Sequence, residues 1–296
     1  MNIREHSSPN PWLIYLIWAV VPFVLFWKSL GDLLRYCLQN DNASHVLFIP
    51  FIVAWLFYSE REKISETRSF DVPLALLFTL PAVFIWGLFL RKEPLQADIQ
   101  LSLTALAVTL LLIAGFIGVF GRESAKRSCF SLAFLGLAIP LPEFLLRKVI
   151  YTLQYFSAAI AESIFDWSGV PALREGFVFH LSGLSIEVAR ECSGIRSSVA
   201  LVILALLVAH FSFSKFWKQA AFVFAGLAMT VVKNGVRIAT LTILAEYVNP
   251  GFLFGRLHQE GGVVFFLLGL ALLVPLYQLL RRNEPGHVRK GTTATD

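Results

Sequence analysis

Four side chains able to do acyl or proton chemistry stand at the edges of long apolar runs: Cys192, Arg237, His258 and His45. Cys192 lies in EVARECSGIRSSVALVIL (Glu187–Leu204), where charge and hydroxyls give way to hydrocarbon within a few residues. A thiol attacks as thiolate, a form favoured at helix N-termini and beside cations. Cys192 precedes an expected helix start and has Arg190 and Arg196 nearby. His258 can take a proton and return it to a leaving amine. Arg237 cannot be a base, since its pKa exceeds about 12; it can stabilise an oxyanion or hold a carboxylate. Lys233 stands one turn before it on the same helical face. Each residue alone also fits a plainer role, as a packing thiol, an interfacial histidine or a snorkelling arginine. Together, thiol, base and cation form a coherent acyl-transfer set.

The elements that hold them are membrane spans. Of 296 residues, 56% are hydrophobic and 15% charged, against about 25% charged in soluble chains; mean hydropathy is +0.68. The net charge of +5 is weak evidence for a nucleic-acid partner, because basic residues in membrane proteins mark cytoplasmic loops, and none is expected. A span needs about 20 apolar residues. That rule predicts an all-α polytopic bundle of eight spans: 11–30, 45–59, 72–90, 101–120, 129–140, 195–213, 216–248 and 262–280. The second and fifth are short and must be tilted, kinked or continued by polar ends. Residues 1–281 read as a single polytopic domain, and 282–296 as a polar cytoplasmic tail expected to be disordered.

Lys and Arg concentrate in 59–71, 121–128, 214–218 and the tail. The positive-inside rule then places both termini in the cytoplasm. Between the fifth and sixth spans lies a long outer segment. Phe144–Phe165 is amphipathic and is expected as a helix along the interface or re-entering it. Phe177, Phe179 and Leu181 alternate with Val178 and His180, and Leu184, Ile186 and Val188 with Ser185 and Glu187. Two alternating runs across Ser182-Gly183 predict a β-hairpin. This topology brings Cys192, Arg237, His258, Glu260 and His45 to one depth near the outer surface. Ionisable groups there are expected to face protein or a wet cavity.

At these residues the sequence resembles the exosortase/archaeosortase family of polytopic membrane cysteine proteases. DNASHVLFIP (Asp41–Pro50) resembles its early acidic-Ser-His segment, with Val46 where a Gly often stands. The block from Gly169 to Leu204 resembles the central one, with Cys192 as nucleophile. KNGVRIATLTILA (Lys233–Ala245) carries an Asn-x-x-Arg element through Asn234 and Arg237. LHQEGGVVFF (Leu257–Phe266) resembles the His-containing start of the last span, with Gln259 before Glu260 where His-Glu is common. The resemblance implies a catalytic Cys192, Arg237 and His258, with His45, Glu187, Arg190 and Arg196 as supporting or substrate-binding candidates. Lys233, Asn234 and Glu260 join that supporting group. It further implies substrates that are secreted proteins ending in a short motif (Pro-Glu-Pro-like in the commonest class), a membrane span and a basic cluster. The motif would be cleaved through a thioester and the acyl group passed to water or an acceptor, often in cells making exopolysaccharide.

Two other readings stay open from the residues alone. One is a non-catalytic component of polysaccharide export, in which Lys233, Arg237 and His258 line a polar path. The other is a membrane acyl transferase using the same thiol on a non-peptide substrate. No metal-ligand cluster or nucleotide loop appears, so no cofactor is expected. Cys37 and Cys129 lack polar company and read as structural; Cys37 shares the expected side of Cys192, leaving an incidental disulfide open.

Overall fold

A computed structural model describes residues 10–65, 69–90, 96–189, 194–253, 262–282 and 284. Arg190, Cys192, His258 and Glu260 lie outside the described residues. The chain forms two compact units, Met1–Leu146 and Arg147–Asp296.

The first unit runs α1 (Pro11–Leu25), α2 (Trp27–Gln39), a 3-10 turn (Asp41–Leu47), α3 (Ile49–Ser65) and α4 (Val72–Ile85), which a π turn extends. Then come α5 (Ala97–Arg127), α6 (Cys129–Phe134) and a second 3-10 turn (Leu135–Ala138). The expected first span is shorter than read: the chain bends by 81° between α1 and α2. The break is at Phe26, φ −107° and ψ 17°, and beyond it Lys28, Asp32 and Arg35 recur at helical spacing and make a polar stripe on α2. Its other face buries Leu33 and Cys37 against Ala43, Val46, Leu101 and Ala105. Cys37 is a free thiol, 1% exposed. The short second span is lengthened by the 3-10 turn to Asp41–Ser65. In α5 the apolar run stops at Phe120, and Gly121 leaves helical geometry at φ 82°, a region that favours glycine.

The cation-rich connections of this unit gather at one end. Ser124 Oγ donates to the Ile64 carbonyl at 2.9 Å, and Arg127 Nη1 to the Lys63 carbonyl at 3.4 Å. Ser69 N donates to the Phe120 carbonyl at 3.2 Å. Trp12 Nε1 donates to Ser65 Oγ at 3.2 Å, bringing the start of α1 to the same end. At the other end the Glu143 amide donates to Asp98 Oδ2 at 2.8 Å.

The second unit holds α7 (Glu143–Ser168), whose first turn belongs to the first unit, then β1 (Leu173–Glu175), β2 (Val178–His180) and β3 (Ser185–Glu187). It continues with α8 (Ile195–Ser212), α9 (Phe216–Tyr247), a 3-10 turn (Pro250–Leu253) and α10 (Gly262–Arg281). The hairpin read from the sequence is present, with Phe179 opposite Ile186 and His180 opposite Ser185. A third antiparallel strand, β1, pairs with β2 on its other edge. Phe179 is fully buried and packs with Phe165, Ala158, Val188 and Ile238, so the sheet sits on α7 and α9. Leu201, Ala205, Phe222 and Leu273 form the core shared by α8, α9 and α10.

Among the described residues six helices are long and apolar enough to cross a membrane. The number rises to eight if each of two broken pairs counts as one span: α1 with α2, and residues 129–138 with α7. The architecture is an all-α polytopic bundle carrying a small sheet.

Candidate functional site

Arg237, Lys233 and Asn234 come from α9, and the start of α8 meets Lys233 and Asn234. The helix carries small residues where neighbours approach. A Cβ on Gly235 would lie 2.5 Å from Ile160 Cβ on α7, and one on Gly226 would lie 2.8 Å from Ala205 Cβ on α8. Such close approach through small residues is how helices associate where the hydrophobic effect gives no drive. It leaves α9 between α7 and α8, so groups around Lys233 are enclosed by protein.

Lys233 is 2% and Asn234 1% exposed, while Arg237 is half-buried one turn on. The Lys233 ammonium donates to Ser197 Oγ at 2.7 Å. Ser197 in turn donates to the Gly194 carbonyl at 3.0 Å, and Ser198 N reaches the same carbonyl at 2.9 Å. Gly194 caps α8 in the left-handed conformation, φ 65° and ψ 21°. A Cβ there would stand 2.8 Å from Asn234 Oδ1 and 3.5 Å from Lys233 Nζ. Glycine is therefore required twice, by its backbone angle and by its neighbours. On the opposite side α10 presses on the lysine stem: a Cβ on Gly269 would lie 3.3 Å from Lys233 Cδ.

Depth follows from helix geometry. Lys233 lies about 26 Å along α9 from Phe216, at 1.5 Å per residue. That is close to the ~30 Å thickness of the hydrocarbon, so α8 begins near one boundary and α9 continues past it beside the sheet. The strand segment is tied down on its way to α8. Gln154 Nε2 donates to the Val188 carbonyl at 2.7 Å, and the Gly183 amide to Glu246 Oε1 at 3.0 Å. Arg174 Nη1 bonds Glu162 Oε2 at 2.8 Å, which fixes β1 to α7.

Of the residues singled out from the sequence, Lys233, Asn234 and Arg237 are neighbours on α9, with Arg196 exposed at the start of α8. Glu187 is exposed on β3. His45 is half-buried in the 3-10 turn of the first unit. Cys192, His258, Arg190 and Glu260 are outside the described residues. From the sequence Ser197 is only one hydroxyl among several in the polar stretch before the apolar run, and Gly194 and Gln154 are not singled out. A lone amide among the apolar positions of an amphipathic helix was the available signal for Gln154.

No curated protein and no solved structure matches the chain. A family model described as transmembrane exosortase (Exosortase_EpsH) matches residues 27–275, from the first residue of α2 to within α10. A match over most of 296 residues, on a multi-pass fold with a buried polar node at the edge of its span, places this chain in the transmembrane exosortase family of membrane sorting transpeptidases.

Proposed function

We propose that this exosortase is a cysteine protease/transpeptidase that cleaves the C-terminal sorting signal of secreted proteins, made of a short motif, a membrane span and a basic cluster. Cys192 is the nucleophile, Arg237 the anion-binding cation and His258 the proton carrier. Both termini are cytoplasmic and the reaction takes place on the outer side. The observation that carries this reading is the family match, which spans all three residues. Arg237 is half-buried one turn after Lys233, which bonds Ser197 in the first turn of α8, and α8 begins three residues after Cys192 in sequence.

The Cys192 thiolate adds to the scissile carbonyl carbon, forming a C–S bond and an oxyanion. Arg237 stabilises that oxyanion, or holds a carboxylate of the motif. Collapse breaks the C–N bond, and His258 in its protonated form gives the leaving amine its proton. Water or an acceptor nucleophile then attacks the thioester, loses its proton to His258 and expels the thiolate. A substrate whose tail is itself a membrane helix presents its motif at the depth where α8 begins.

The test follows a co-expressed secreted protein bearing such a tail. Cys192→Ala and Cys192→Ser, accumulated to parental levels, are expected to leave it uncleaved. Cleavage by Cys192→Ala at the parental rate would remove the nucleophile assignment.

A further inference from the structure

The first helix ends inside the far leaflet. Its 15 residues rise about 22 Å, against ~30 Å of hydrocarbon, and its start lies at the end where the basic connections gather. The chain then turns by 81° into α2. At 3.6 residues per turn, α2 presents three flanks. Leu33 and Cys37 lie on the first and face the core. Trp27, Leu34 and Leu38 fall together on the second and are exposed, Trp27 by 80%. Lys28, Asp32 and Arg35 fall on the third and are exposed as well. A helix with one flank against protein, one of bare hydrocarbon and one of charge fits the boundary between acyl chains and headgroups.

A groove of about 520 Å³ runs along the seam between the last two flanks, starting at Phe23 before the elbow. Sites for small ligands span about 300–1,000 Å³, so the size suits part of a lipid. Gly31 lies on the seam, and a Cβ there would meet nothing within 4 Å. The missing side chain helps to keep the groove open. Phe23, Trp27 and Leu34 give it apolar walls, and Lys28 and Arg35 line it with charge. Arg35 shares its charge with Asp32 at 3.4 Å, in an exposed pair. Lys28 has no ion-pair or hydrogen-bond partner among the described residues. An unpaired cation beside hydrocarbon calls for an anion, and the apolar trough next to it calls for an alkyl chain. A single molecule of the bilayer supplies both at this depth.

We propose that the elbow between α1 and α2 binds one anionic glycerophospholipid of the leaflet in which α1 ends, with an acyl chain in the groove past Gly31 and the phosphate on Lys28. The inference depends on no residue of the thiol reaction.

The experiment uses the full chain in nanodiscs of phosphatidylcholine, into which phosphatidylglycerol with brominated acyl chains is titrated; brominated phosphatidylcholine is the comparison. Bromine quenches indole fluorescence at close contact, and the Trp27 signal is the difference between the parent and Trp27→Phe. Half-quenching is expected at an about fivefold lower mole fraction of the phosphatidylglycerol, the weight of one basic residue beside an anionic headgroup. Lys28→Gln is expected to bring the two lipids together, and Asp32→Asn to widen the gap. Gly31→Leu fills the groove with every charge in place and is expected to abolish the preference too. All three positions are away from the buried flank of α2. Equal quenching by both lipids in the parent would overturn the proposal and leave α2 an ordinary lipid-facing surface. A preference that survives either Lys28→Gln or Gly31→Leu would overturn it as well, by placing the headgroup elsewhere. Quenching by neither lipid would give the groove to protein, a second copy of the chain included.

Discussion

At the scale of single residues, chemistry was legible where a side chain was out of place. Arg237 and Lys233 drew notice because charge inside an apolar run is costly and must be used or satisfied. Arg237 also has a definite expectation. Arg237→Lys keeps the charge but loses the planar fork that serves a carboxylate or an oxyanion with two parallel N–H groups. Loss of one oxyanion donor typically costs about 10²–10³ in kcat. Cleavage of a tail-bearing substrate by Arg237→Lys should therefore fall at least a hundredfold at unchanged protein level; a loss of less than threefold would assign the arginine to packing or snorkelling. Ser197 and Gly194 were illegible for the converse reason. A serine in a first helical turn is ordinary, and a glycine before one is too. Their roles exist only because α9 brings Lys233 and Asn234 against them.

At the scale of elements, length and hydropathy found the spans, and local chemistry decided where they end. The stop at Phe120 is Gly121 in a left-handed bend. The elbow after α1 was missed because the apolar run continues through Phe26 and Trp27 with only Lys28 and Ser29 to interrupt it before residue 30, whereas in α2 Lys28 joins Asp32 and Arg35 in one stripe. Strand β1 was missed because three residues carry no alternation, and it is fixed by partners far along the chain, Glu162 through Arg174 and the edge of β2. Partners remote in sequence also hold the N-terminal end of α9. Lys218, 3% exposed, donates to the Leu280 carbonyl and to Glu284 Oε1, each at 2.7 Å, while the Ser214 amide reaches Glu284 Oε2 at 3.1 Å. Glu284 thus anchors the beginning of what reads from sequence as a disordered tail. The Lys218 bond first, then the Ser214 amide, hold its carboxyl at about 2, below the ordinary 4.5. A depressed carboxyl pKa stabilises the fold above the unfolded value and stops doing so on acidification. The Glu284 contribution should be complete above about 4.5 and fade as pH falls toward 2. In detergent, Glu284→Gln should melt below the parent at neutral pH, and the two should converge as pH falls through that window. A gap that stays constant with pH would show that the carboxylate charge has no part in the anchor.

At the scale of the whole molecule, each unit carries its own record of sidedness. In the first, the basic connections 59–71 and 121–128 are bonded to one another and to the start of α1. In the second, Ser214, Lys218 and Glu284 collect the end of α8, the start of α9 and the end of α10. These are the same segments whose charge assigns them to the cytoplasm under the positive-inside rule, so packing and charge bias agree within each unit without reference to the other. The agreement has a direct consequence for labelling. In a background lacking Cys37 and Cys129, a membrane-impermeant maleimide applied to intact cells should react with Cys192 alone, and with Arg35→Cys introduced on α2 after Cys192 is replaced. It should not react with Arg127→Cys until the membrane is permeabilised. The α2 position carries the sharper demand. If the elbow at Phe26 turns α2 along the outer surface, then Lys28→Cys, Asp32→Cys and Arg35→Cys on its polar stripe all label from outside, while Leu33→Cys on the buried face does not. A straight continuation of the first span would instead show reactivity falling off toward position 28, as the chain sinks into lipid. Labelling of position 127 in intact cells would reverse the orientation of the first unit.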